Sequence, residues 1–467
     1  MRFLLISLMF CSMSLTALEV RSTDGVFQIQ NIPHVKQKTD FCGEACVEMF
    51  FKASKIDLTQ DDVFDASGLD PKEGRGCYAP DLFKGLQKLG VNPGKGWFAV
   101  KVADQKTELM RLWNSVLSGI KSGVPSIVCT RYSNKPESSE HFRLIVGYDS
   151  VKKEVIYHEP ALDNSPYLRM KLDYFLEIWP LKYSKDTWTV VSFMMNQVAK
   201  PKALKDEAFT DADYAQHIIE LKKKLPKGFS FVIQKPFVVI GNNHEKIVKQ
   251  WATGVVSWTV DKIKKQYFKK DPKFILDVWL FKDKQSYEFY NRKLFGGDPG
   301  TPFGYYSSSK RSLVMNISTG GGTLVHEIVH PFMESNFPNC PSWFNEGLAS
   351  LYEQSAEKNG KIVGLTNWRL SGLKKEITAG TLPTFKELCS TTTNEFYNSA
   401  KGNNYAQARY LCYYLQENDL LEQYYKDFTA NVKEDPTGYK TLVKALKVED
   451  MKAFQQKWQK WVMGLKR

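Results

Sequence analysis

Gly322-Thr-Leu-Val-His-Glu-Ile-Val-His330, followed by Trp343-Phe-Asn-Glu-Gly-Leu-Ala-Ser-Leu-Tyr352, is the stretch from which the rest of the chain can be read. His326 and His330 are four residues apart. On a helix that leaves them about 40° apart on one face, close enough to reach one ion. Neutral imidazoles suit zinc, and a catalytic site takes three protein ligands while keeping a position for water. Glu327 sits beside that face, placed to take a proton from the hydrolytic water. Val325, Ile328 and Val329 predict that the same helix is packed into a core, and Thr323 is a candidate helix cap. Pro331 removes a backbone donor in mid-helix and predicts a kink.

His-Glu-x-x-His with a later Asn-Glu-Gly-x-Ala resembles the gluzincin metallopeptidases, whose third ligand is a Glu on the next helix. The resemblance covers roughly residues 231–415. It implies Zn2+ as cofactor and Glu346 as that ligand, with fifteen residues between His330 and Glu346 for a loop and a return helix. It also implies that the strand at 312–317 is the edge on which substrate backbone is laid by β-augmentation. Tyr405, within Asn404-Tyr-Ala-Gln-Ala-Arg409, is the implied stabiliser of the transition-state oxyanion.

Upstream, β-branched and aromatic runs predict strands at 231–233, 237–240 and 275–281, with a long amphipathic stretch at 244–268. From about Gly322 onward the pattern is helical. A Lys-rich stretch with Pro201, at 199–212, is the expected linker between a domain at 20–198 and a second at 213–467. The first domain is expected to carry helices at 43–53, 79–89 and 107–121. Strands of an antiparallel sheet follow at 126–131, 142–148 and 154–158.

That first half holds a second constellation. Gln37 precedes a Cys42-Gly43 pair at an expected helix start, where the helix field is expected to lower the thiol pKa. His141 opens a strand, and His158-Glu159 ends the next one, with His158 expected to face outward. The order Gln, Cys, His, acid resembles the papain-like fold of bacteriocin-leader peptidases over about residues 26–195. The resemblance implies Cys42 as nucleophile, His141 as general base, Gln37 as oxyanion donor and Glu159 as the group orienting the histidine. The fold class that follows is α+β: a papain-like domain, then a gluzincin-type domain with a small α/β subdomain and a helical one.

Composition sets outer bounds. With 467 residues, 43% hydrophobic and 25% charged, the chain has material for two or three cores. Met1-Arg2, an apolar run from Phe3 to Phe10 and small residues to Ala17 describe a signal peptide over 1–17. A secreted or periplasmic protein without a membrane span is therefore expected. Seven cysteines follow that segment, an odd number that leaves at least one thiol unpaired in an oxidising compartment. Cys77 is the more plausible mate for Cys46. The formal net charge of +13 favours anionic envelope or matrix polymers as partners; no nucleic-acid motif is present. Asn316-Ile-Ser318 fits a glycosylation acceptor.

The expected function is hydrolysis of peptide or protein substrates with zinc and Glu327. The first domain is either a second, cysteine-dependent protease or a binding or regulatory module. The non-enzymatic alternative is a pair of degenerate peptidase folds acting as a surface-binding protein.

Overall fold

The computed structural model describes residues 17–135, 137–197, 199–201, 208–398 and 404–466. The expected signal peptide lies outside these residues, apart from Ala17. Two compact units are present, Met1–Lys224 and Leu225–Arg467. The boundary therefore falls twelve residues beyond the expected linker end at 212, because the helix Asp211–Lys224 docks back on the first unit. The Ala212 N–H donates to Asp65 Oδ1 at 2.8 Å, and Gln216 Nε2 donates to Thr39 O at 2.9 Å. Ala212, Ala215 and Ile219 join the first core. A composition change marks where the chain becomes polar, not where packing ends.

The first unit is built on a nine-stranded sheet in which every pairing is antiparallel. Its centre is the strand Glu140–Asp149, flanked by Ser126–Arg131 and Glu154–His158. All three are near-continuous apolar runs, as strands covered on both faces require. The helix Cys42–Ala53 lies against this centre. A Cβ on Gly43 would meet Leu82 at 2.7 Å and the Phe142 ring at 3.1 Å, so glycine is what lets the helix start approach the strand start.

The second unit opens with a five-stranded mixed sheet in the order Ser230–Gln234, Phe237–Gly241, Leu276–Phe281, Ser312–Asn316, Gly304–Ser307. The expected edge strand at 312–317 is thus covered. Gly304–Ser307 pairs antiparallel with it and takes the edge, since a short return strand of Gly-Tyr-Tyr-Ser carries too little alternation to be read. The amphipathic stretch runs as Glu245–Trp251, a π-helical turn Ala252–Ser257, and Trp258–Gln266. From Gly322 the unit is helical except for a hairpin of Ser355–Lys358 and Lys361–Gly364.

The helix Gly322–Asn336 is continuous through Pro331. Its cap position is Gly321, not Thr323, and no side chain caps it. A Cβ on Gly322 would come within 2.2 Å of the Glu353 carbonyl oxygen, so this glycine permits a backbone-to-backbone approach that no rotamer can relieve. Asn316 is buried and its Nδ2 donates to Pro302 O at 2.9 Å, which removes it as a glycan acceptor in the folded protein. Among the described residues no helix is long and apolar enough to cross a membrane. Gly322→Ala is expected to lower the stability of the second unit by about 1–3 kcal/mol; calorimetric melting of the intact protein would reveal it, and an unchanged transition would contradict the close approach.

Candidate functional sites

His326 and His330 project from one helix face, and Glu346 comes from the following helix Ser342–Leu351. One donor atom of each lies within 4.8 Å of the other two. His326 Nε2 is 3.2 Å from Glu346 Oε2, and His330 Nε2 is 3.9 Å from Glu346 Oε1. Glu327 Oε2 is 3.8 Å from His330 Nε2. The three ligands and the base expected from sequence are therefore brought together.

Each histidine turns its other nitrogen to an outer acceptor. His330 Nδ1 lies 3.0 Å from Asn345 Oδ1, and His326 Nδ1 lies 3.4 Å from Glu353 Oε1. The hydrogen bond fixes the His330 ring, whereas the Glu353 contact of His326 is a charge approach without hydrogen-bond geometry; both leave Nε2 facing inward. Glu353 is itself held by Arg369, which donates from Nη2 to Oε1 at 2.7 Å and from Nε to Oε2 at 2.9 Å. Asn367 Nδ2 adds a third bond at 2.9 Å.

Burial raises the carboxyl pKa of Glu346, but His326, the charge of His330 and the Tyr397 hydroxyl outweigh it and hold the group at about 2. Desolvation would lower His326, yet the carboxylates of Glu346 and Glu353 lift it to about 10. The pocket thus favours a cation. Glu346 Oε2 is buried with no hydrogen-bond partner among the described residues, as a vacant donor atom would be. Two inward imidazole nitrogens and this oxygen fit zinc.

A cleft of about 1250 Å³ runs past His326 and Glu327. Its walls include Trp258, Phe303, Tyr305, Trp368 and Tyr405. The edge strand Gly304–Ser307 borders the cleft through Gly304 and Tyr305. Burial raises the Glu327 carboxyl above its ordinary range, against the pull of the two histidines.

In the first unit His141 Nε2 meets Glu159 Oε1, so these two expected partners are brought together. Arg143, two residues along the same strand, donates to Glu159 Oε2 at 2.9 Å and also meets Thr130. Gln37 donates its backbone N–H to Pro160 O at 2.9 Å, which sets it beside Glu159. Its Oε1 is buried without a partner among the described residues.

Cys42 departs from expectation. Burial pushes its thiol up to about 12, and neighbouring backbone N–H groups, chiefly that of Phe142, recover only part of the shift. Among the described residues it makes no hydrogen bond to His141. The helix field acts over one turn, and desolvation wins here. His158 is also unlike its expected outward pose. It is 0% exposed, between His34 and Tyr167, and burial with the nearby His34 pulls it down to about 4. All seven cysteines in the described residues are free, so the Cys46–Cys77 pairing is absent.

Residues 29–186 match the family model described as Peptidase_C39 like family. The first unit carries a C39-like peptidase domain. A solved structure similar to the chain is described as a "putative C39-like peptidase from Bacillus anthracis"; it shares 15% identity at a TM-score of 0.24, covering 35% of this chain and 96% of its own. No curated protein matches. The family-model match, over residues 29–186, lies within the first unit.

Four contributors escaped the sequence reading. Glu353 lies two residues past the end of the Glu346 helix, in the turn after Leu351, where no helical spacing marks it. Arg143 follows His141 by two on a strand and shares its face. Asn345 stands in the Asn-Glu-Gly motif, although its role there was not read, and Tyr397 carries no pattern of its own.

Glu44, next to Gly43, is fully buried and its carboxyl is raised by that burial to about 7 from 4.5. A raised folded pKa means stability is greatest below pH 4.5 and declines until about pH 7. Glu44→Gln should therefore stabilise the C39-like unit above pH 7 by about 3 kcal/mol and change little at pH 4; denaturant titration at both values decides it. Alkylation of Cys42 should be slow at pH 7 and still rising beyond pH 9, whereas a plateau below pH 7 would reveal a thiolate–imidazolium pair.

Proposed function

We propose that the chain is an exported peptidase whose second unit hydrolyses peptide bonds with zinc held by His326, His330 and Glu346. The observation that carries this reading is the buried Glu346 carboxylate, with one oxygen unpartnered, facing two imidazole nitrogens that are oriented from behind. Bound zinc would polarise water and the scissile carbonyl. Glu327, raised by burial and lining the cleft, accepts the proton from water and can pass it to the leaving amine. The edge strand Gly304–Ser307 offers backbone groups to an extended peptide. Tyr405 lies in the cleft wall, where a phenol can donate to developing negative charge. Export rests on the sequence of the first seventeen residues.

A second reading places cysteine chemistry in the C39-like unit. It is supported by the family match over residues 29–186 and by the His141–Glu159 contact. On this reading Cys42 attacks, His141 takes its proton and Gln37 donates to the oxyanion. The half-buried, desolvated thiol must then lose its proton as substrate binds, because the resting pKa of about 12 leaves it neutral.

Purified protein is expected to cleave a mixed peptide pool, to lose that cleavage to a chelator and to regain it on adding zinc. Glu327→Gln should lower kcat about 10²- to 10⁴-fold with zinc retained. Cleavage that resists chelation but is stopped by Cys42→Ala would transfer the activity to the C39-like unit.

A further inference from the structure

The two oxygens of Glu346 are not equivalent. Oε2 faces His326 Nε2 at 3.2 Å and is otherwise unpartnered. Oε1 accepts the hydroxyl of Tyr397 at 2.5 Å. That distance belongs to a charge-assisted O–H···O⁻ bond, about twice as strong as a neutral one. Tyr397 comes from the short helix Thr393–Asn398, and its ring leans on Phe396 and on Tyr405, with centroids 5.5 and 6.0 Å away. Among the described residues it is the donor to the Glu346 side chain apart from the histidines.

We propose that Tyr397 is a positioning residue for the metal, holding Oε1 so that Glu346 offers a cation Oε2 alone. The proposal rests on the zinc reading. A hydroxyl bound to one oxygen withdraws electron density from it and pins the carboxylate plane. The free oxygen then becomes the better donor, and a coordination position is saved for water. Tyr397 thereby completes a set in which each ligand has one outer partner: Glu353 for His326, Asn345 for His330 and Tyr397 for Glu346. Tyr405, the tyrosine singled out by sequence, faces the cleft instead, with the Arg369 guanidinium 5.0 Å from its ring.

The test uses the full chain, stripped of metal, as wild type and as Tyr397→Phe, which keeps the ring contacts. Zn2+ is titrated against a chromophoric chelator, and the Co2+ forms are compared by visible absorption. The variant is expected to bind zinc about 10- to 100-fold more weakly. Its cobalt bands should weaken, because a carboxylate free to use both oxygens raises the coordination number. Melting of the metal-free protein should fall by only the few degrees that loss of one charge-assisted hydrogen bond costs, while the cobalt spectrum reports the coordination itself. Zinc affinity within twofold of wild type and an identical cobalt spectrum would overturn the proposal, even if peptide cleavage fell, since the hydroxyl would then act on substrate and not through Glu346. A wild type that takes up no zinc would overturn the metal reading itself, a result visible before the variant is compared.

Discussion

Burying the Glu346 carboxylate between two histidines is the constraint around which the second unit is arranged. Taking a carboxylate out of water costs several kcal/mol unless positive charge and hydrogen bonds replace the lost hydration. Here the replacement comes from His326, His330 and Tyr397, and an oxygen is still left over. The scaffold serves that arrangement. Gly347 lets the Glu346 helix approach the helix Asn404–Glu417 so closely that a Cβ would meet Cys412 Sγ at 3.0 Å and Ala408 O at 3.1 Å. From that second helix the fully buried Arg409 donates to the carbonyls of Ser350 and Leu351, satisfying the end of the ligand helix. Gly322 brings the histidine helix against the Glu353 backbone, where the outer partner of His326 begins.

The C39-like unit meets similar electrostatics with a different outcome. Glu159 is shared between His141 and Arg143, so the charge that would support an imidazolium is partly spent on a guanidinium. Cys42 sits at a helix start, yet burial dominates its pKa, and Glu44 two residues on adds a buried carboxylate. A thiol in these surroundings rests neutral. The proposed metal site, by contrast, has His326, His330, Glu346 and Glu327 already gathered, with Asn345 and Tyr397 hydrogen-bonded behind them.

Local patterns carried much of this into the sequence. His326, Glu327 and His330 are legible because a helix repeats every 3.6 residues, and Glu346 because it stands in a recognisable Asn-Glu-Gly. The strands 126–131 and 154–158 emerged at their observed bounds, since β-branched runs between turns leave few alternatives. What failed was tertiary. The helix Asp211–Lys224 lies past the polar stretch yet belongs to the first core. The burial of His158 and the desolvation of the half-buried Cys42 depend on neighbours brought in by the sheet, and Tyr397 reaches Glu346 across 51 residues of chain. No spacing rule links such positions.

The most direct measurement of the central claim is X-ray absorption at the zinc edge on protein purified without added metal and then loaded with one equivalent. The account predicts a first shell of nitrogen and oxygen alone, with the outer-ring scattering of two imidazoles and no sulfur. Sulfur in that shell would move zinc to the cysteines, and imidazole scattering lost altogether would mean that His326 and His330 do not hold a metal.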